Sequence, residues 1–159
     1  MNDKYDVYLR PLREEDAKTS WRWRNDSRVW EKTGSRPNCH VTEEMELDWM
    51  RKVLADKTSR RYAIVLKDSD RYIGNIYLTD IQNGQAEEET FIGEPDLWGK
   101  GIGTHARTLL MQIAKDDLGL KAIKSVIRLG NIASIKANLK IGFREVGRDG
   151  EFVYLEKPL

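Results

Sequence analysis

Seven residues, Trp98-Gly99-Lys100-Gly101-Ile102-Gly103-Thr104, constrain this chain more than any others. Glycines at alternate positions let the backbone turn its N–H groups inward with no Cβ in the way. An amphipathic run starts at once behind them, with Ile102, Ala106, Leu109, Leu110, Ile113 and Ala114 at helical spacing. The predicted helix would present its unpaired first-turn N–H groups and the positive end of its dipole to the loop. Together these predict a cradle for a phosphate or pyrophosphate, with a plain tight turn as the alternative.

Two nucleotide motifs do not fit the loop. A P-loop needs Lys and then Ser or Thr after its last glycine, whereas Thr104 and His105 follow Gly103. A dinucleotide fingerprint counted from Gly99 needs a glycine where Thr104 stands. Counted from Gly101, it also lacks its third glycine.

The flanks favour the cradle. Phe91-Ile92-Gly93-Glu94-Pro95 reads as a strand interrupted by glycine, the mark of a bulge or a close backbone approach, and ended by proline. Downstream, Gly119 stops the helix and Ala122 to Leu129 reads as a strand. Asn131 caps a second helix with an apolar stripe of Ile132, Ile135 and Leu139, which Gly142-Phe143 closes. Strand, glycine loop, helix, strand and helix form an α/β unit.

The run Phe91-Ile92-Gly93…Trp98-Gly99-Lys100-Gly101-Ile102-Gly103-Thr104, followed by Asn131…Ser134…Lys140-Ile141-Gly142-Phe143, resembles the GCN5-related N-acetyltransferase (GNAT) superfamily. With the early Leu9-Arg10-Pro11-Leu12-Arg13-Glu14-Glu15-Asp16, it is similar to the Rim-type branch of ribosomal-protein and small-amine acetyltransferases. The two linked motifs cover about a third of the chain. The resemblance implies an α/β (α+β) fold with a mixed, mostly antiparallel sheet of six to seven strands flanked by helices.

Bulk properties agree with one domain over residues 1–159, since that length suffices for one core. Lys plus Arg total 27 against 26 Asp plus Glu, which argues against a dedicated nucleic-acid or membrane-surface binder. The sequence has no membrane-length apolar run, and residues 1–15 carry no signal-peptide pattern. With Cys39 the only cysteine, no intrachain disulfide forms and a cytoplasmic location is expected. No metal site is expected, because His105 is the only other histidine beside Cys39-His40. A homodimer is left open.

Elsewhere, Tyr5 to Leu12 reads as a strand, Arg13 to Arg24 as a helix, and Ser27 to His40 as a loop. Thr42 caps a helix with Met45, Trp49, Val53 and Leu54 as its apolar face. Arg61 to Lys67, Tyr72 to Ile81 and Ala86 to Glu94 read as strands. Glu145 to Leu159 supplies two more, turning at Asp149-Gly150.

The resemblance implies that Glu87–Glu94 and Lys121–Leu129 splay apart to hold the pantetheine of acetyl-CoA. Phe91, Ile92 and Gly93 would then flank it, with Ile92 and Gly93 offering backbone partners. Gly99, Lys100, Gly101, Ile102, Gly103 and Thr104 would hold the pyrophosphate through their N–H groups, with Trp98 packed behind the loop as part of the cofactor site. Asn131, Ser134 and Asn138 would face the thioester end, although Asn131 also reads as a simple cap. A carboxylate on the splayed strand would take the amine's proton. That proton costs roughly 4–5 kcal/mol to remove from a lysine-like amine at pH 7, but only about 1 kcal/mol from an α-amine.

Glu87, Glu88 and Glu89 are consecutive there, and strand alternation puts Glu87 and Glu89 on one face. Glu87 is the first choice of base and Glu89 the second; solvated charges at a strand end are the alternative. Asn138 stands where many members place a tyrosine general acid, and an amide can donate a hydrogen bond but cannot titrate. Tyr154 is a conceivable substitute. Trp23, Asn25, Trp30 and Arg36 would line the acceptor side, against a reading of the tryptophans as core and the arginines as a solvated rim. The implied reaction is direct N-acetyl transfer to a small primary amine such as an amino sugar or an antibiotic. A protein N-terminus and a silent acyl-CoA-binding domain are the alternatives.

Overall fold

Alternation of apolar residues builds a sheet with two buried faces. In a computed structural model, residues 3–159 are described and form seven strands with five α-helices. The strands are β1 (Val7–Pro11), β2 (Arg60–Leu66), β3 (Tyr72–Gln82), β4 (Gln85–Ile92), β5 (Ala122–Arg128), β6 (Arg144–Arg148) and β7 (Phe152–Pro158). They lie in the order β1-β2-β3-β4-β5-β7-β6. Only the β4–β5 pair is parallel.

Period-two alternation on β2 sends Ile64 and Leu66 to one face and Ala63 and Val65 to the other. The first face packs under helix α4 (Ile102–Gln112) through Ile102, Ala106, Leu110 and Met111. On the second, Ala63, Val65 and Tyr77 meet Ala17 of α1 (Ala17–Asn25) and Met50 of α3 (Glu43–Leu54).

The expected loop at Ser27–His40 instead begins with a short helix, α2 (Ser27–Thr33). Asp26 caps it by accepting from the Arg28 N–H at 3.0 Å, and Gly34 ends it in the left-handed conformation at φ 75°. The face of α3 is also rotated from expectation. Thr42 does cap it, but Met45 is 44% exposed and Leu54 is exposed too, while Glu46 and Met50 are buried. Trp49 packs on the core and Val53 is half-buried as expected, but a buried glutamate carries no hydrophobic signal, so periodicity alone missed the turn of the face toward Glu46 and Met50.

Helix α5 (Ile132–Lys140) departs in the same way. Ile132 and Leu139 are exposed, Ile135 is half-buried, and the fully buried residue is Asn138. Its end matches expectation: the Phe143 and Gly142 N–H groups return to the Asn138 and Leu139 carbonyls, closing a Schellman motif. No helix among the described residues is long and apolar enough to cross a membrane.

Candidate functional site

The site begins where β4 and β5 part. They pair at Gln85–Ala122, Ala86–Ile123 and Glu87–Lys124, and no further. Beyond that point β4 stays with β3 and β5 stays with β7, so a gap opens between Glu88–Ile92 and Ser125–Arg128. A cleft of about 590 Å³ runs from this gap to both faces of the sheet.

On the α4 face the cleft is floored by the glycine loop. Gly99 and Gly101 have φ of 75° and 82°, which favours glycine, and a Cβ on either would meet only open space. Gly101 is the N-cap of α4, so the first-turn N–H groups of that helix face the cleft's end of the loop. Leu97 and Ile102 anchor the loop in the core. The Trp98 indole N–H donates to the Ile92 carbonyl at 2.9 Å, and the Lys32 ammonium lies 4.8 Å from the Trp98 ring centre. Lys100 instead lies 5.7 Å from the Tyr5 ring centre.

Two of the expected backbone partners are already engaged. The Ile92 carbonyl accepts from Trp98, and the Gly93 N–H donates to the Ile73 carbonyl at 2.8 Å. Alternation along β4 therefore turns the backbone groups of Glu88 and Thr90, and the Ile92 N–H, toward the gap. Gly93 has another task. A Cβ there would fall 2.0 Å from the Trp23 ring, so its absence admits the indole.

Between the parted strands sits a buried polar node that the sequence did not reveal. Glu88 and Arg107 are each 4% exposed, and Arg107 Nε donates to Glu88 Oε1 at 2.9 Å. Ser125 Oγ donates to Glu88 Oε2 at 2.8 Å, and the Thr90 hydroxyl donates to Oε1. Arg107 Nη2 also reaches Ser134 Oγ at 3.2 Å. One guanidinium thus joins β4, α4 and α5, while Glu88 adds β5. The three consecutive glutamates divide accordingly, with Glu88 toward α4 and its neighbours toward α1 and α3.

Glu89 lines the cleft on that second face, whereas Glu87, level with the last paired position, is not among the lining residues. Glu89 keeps contact with water in the cleft, yet the protein packed around it raises its carboxyl pKa above the ordinary value. Arg61 opposes that rise, and Glu87 and Glu88 add to it. Tyr77, its cross-strand partner, is a buried phenol that burial pushes far up, so it stays neutral.

The expected acceptor residues separate. Trp23 is 4% exposed and packed on Gly93, Tyr72 and Phe91, so it is cleft wall with its faces covered. Asn25 lies outside the lining. Its side chain accepts from the Val41 N–H at 2.8 Å and donates to the Val41 and Trp21 carbonyls, pinning the segment before α3. Trp30 lines the cleft, and Arg36 lies 5.3 Å from the Trp30 ring centre without lining the cleft itself.

On α5, Asn131 and Ser134 line the cleft, and Asn131 accepts from the Ser134 N–H at 3.4 Å, so it caps as well. Asn138 is fully buried outside the lining, and neither amide atom has a partner among the described residues. One helical turn places it beneath Ser134 rather than in the cleft. Tyr154 donates to Asp149 at 2.6 Å and also lies outside the lining. No group of three or more His, Cys, Asp or Glu gathers among the described residues in a way that could hold a metal ion.

The model of the acetyltransferase (GNAT) domain matches residues 6–144. Spermidine N-acetyltransferase from Vibrio cholerae, solved with CoA and spermine, superposes with a TM-score of 0.84 at 18% identity, covering 96% of this chain and 95% of that one. Aminoglycoside acetyltransferase AAC(6')-Ib, solved with coenzyme A, gives 0.80 at 23% identity, with 96% and 95% covered. Human alpha/beta-tubulin-N-acetyltransferase 9 is 34% identical over 79 residues, 49% of this chain and 38% of its own length. The chain spans about a third of the length of the curated relatives it matches.

Proposed function

The chain belongs to the GNAT acetyltransferase family, and from that premise we propose that it moves an acetyl group from acetyl-CoA directly to a primary amine of a small molecule. The observation that carries this reading is the gap between β4 and β5. It joins a glycine-loop anion cradle on one face to an aromatic-walled recess holding a carboxylate on the other. The residues fit the cofactor: the loop leaves open space at Gly99 and Gly101, and strand-edge groups on Glu88 and Thr90 face the gap. Acetyl-CoA bound there supplies the activated acyl carbonyl.

Glu89 is the base, directly or through water, and its raised pKa brings it closer to that of the amine it deprotonates. It takes precedence over Glu87, which lies outside the cleft lining. Ser134 Oγ accepts from Arg107, which leaves its own proton free to be donated into the cleft. That arrangement gives Ser134, rather than Asn138, the hydrogen bond to the leaving sulfur. No cysteine lines the cleft, and the exposed Cys39 lies outside it, which favours direct transfer over an acyl-enzyme. Placement in the Rim-type branch belongs to the same reading.

A protein N-terminus is the second acceptor, favoured by the tubulin-acetyltransferase relative. The aromatic walls from Trp30, Trp49 and Tyr77 favour the small amine. The test is release of free thiol from acetyl-CoA across small amines and short peptides. Amine-dependent release that falls about 10²- to 10⁴-fold in Glu89→Gln supports the reading. Release unchanged by Glu89→Gln removes Glu89 as the base, and CoA binding without release to any amine leaves a silent binding domain.

A further inference from the structure

We propose that the acceptor is an amine that also carries an anionic oxygen group, a carboxylate or a phosphate, rather than a polycation. This rests on the acetyl-transfer reading above and names the substrate class of the same cleft. The register sets Arg61 of β2, Tyr77 of β3 and Glu89 of β4 in one cross-strand row on the α1–α3 face. Neighbouring strands lie about 4.8 Å apart, so the backbone positions of Arg61 and Glu89 are roughly 10 Å apart. A base and a cation thus stand at the two ends of one row, with a neutral phenol between them.

The cation end is built and unsatisfied. Trp49 of α3 gathers two guanidinium groups, Arg24 at 5.4 Å and Arg61 at 5.7 Å from its ring centre. Arg61 also lies 4.3 Å from the Tyr77 ring centre. The Trp49 and Tyr77 ring faces attract these cations without accepting conventional hydrogen bonds, which leaves for an oxyanion the guanidinium N–H groups that Glu46 does not take. The Nε of both arginines is buried with no hydrogen-bond partner among the described residues. Arg24 has one ion pair, to Glu46 at 3.1 Å; Arg61 has none among the described residues. Buried donors without acceptors point to a missing acceptor group.

The charge count agrees. Five basic side chains line the cleft against three carboxylates, and two of those are committed, Glu46 to Arg24 and Ser20, and Glu88 to Arg107. Glu89 alone remains for an ammonium. A substrate with several positive charges would meet two arginines and one free carboxylate. A monoamine with an oxyanion meets a complement for each end.

Calorimetric titration of the CoA-loaded protein with matched amines tests this without relying on turnover. The pairs are phosphoethanolamine against ethanolamine and aminocaproate against aminocaproamide, with spermidine as the polycation. The phosphate and carboxylate pairs also show which oxyanion is preferred. The expected result is binding of an anionic member about ten- to a hundredfold tighter than its neutral partner. Arg61→Gln should erase that preference and Arg61→Lys should keep part of it, with CoA affinity unchanged in both. Equal binding of both members, no binding of either, tighter binding of spermidine, or a preference that survives Arg61→Gln overturns the proposal while the acetyl-transfer reading stands. A protein that takes up no CoA overturns both.

Discussion

Removing the carboxylate of Glu88 should be among the most damaging single changes in the sheet. Glu88 and Arg107 are both 4% exposed, and the carboxylate accepts from Arg107, Ser125 and Thr90. Glu88→Ala leaves the guanidinium buried with Ser134 as its remaining side-chain partner. Stranding one member of a buried pair costs about 3–5 kcal/mol. A domain of this size has roughly 5–15 kcal/mol in all, so the variant folds but sits near its limit. At about 2–4 °C per kcal/mol, the unfolding midpoint should fall by roughly 6–20 °C. Urea unfolding of the wild type, Glu88→Ala and the double variant Glu88→Leu/Arg107→Met measures this. The double variant should recover most of the loss, because an apolar pair of similar volume needs no charge compensation. A loss under about 1 kcal/mol for Glu88→Ala, or a double variant no better than the single one, would refute the reasoning.

Four further outcomes follow from named positions. Gly101→Glu should fold with a loss of only about 1–2 kcal/mol from its left-handed backbone, because its Cβ meets nothing, yet abolish the thermal shift given by CoA. Gly93→Ala should lose about 1–3 kcal/mol or more in chemical denaturation, because its Cβ would overlap the Trp23 ring. Asn138→Leu should gain about 1–3 kcal/mol by removing an unpartnered buried amide, with kcat unchanged; a lowered kcat would return Asn138 to the chemistry. Glu89, whose folded pKa is raised, favours folding below its unfolded pKa of about 4.3, and that contribution is lost as pH rises through the folded value. Glu89→Gln should therefore leave stability at neutral pH equal or higher, and should abolish the acid limb of the kcat/KM profile.

The parts legible in the sequence were those written in backbone chemistry and apolar periodicity. The alternate glycines marked the loop, Asn131 and Thr42 marked helix starts, and the Ile and Val runs marked β2, β3 and β5. Opaque were the polar residues that the fold buries in pairs. Glu46 is buried and accepts from Ser20, twenty-six residues away. Arg107 of α4 is buried against Glu88 of β4, nineteen residues away. Such pairs leave no periodic trace, because each member alone reads as surface. Helix α2 was readable in principle, since Asp26 and Gly34 bracket it as caps, but the polar composition between them concealed it. The proposal of Glu89 over Glu87 rests on where β4 and β5 part, just after Glu87, which no residue in the sequence marks.

A crystal structure of the protein soaked with acetyl-CoA tests the central claim most directly. The account predicts pantetheine between β4 and β5, its polar groups on the strand edges of Glu88 and Thr90, and the pyrophosphate on the N–H groups of Gly99 to Thr104. Acetyl-CoA bound elsewhere, or a gap that stays free of it at saturating concentration, would contradict the account.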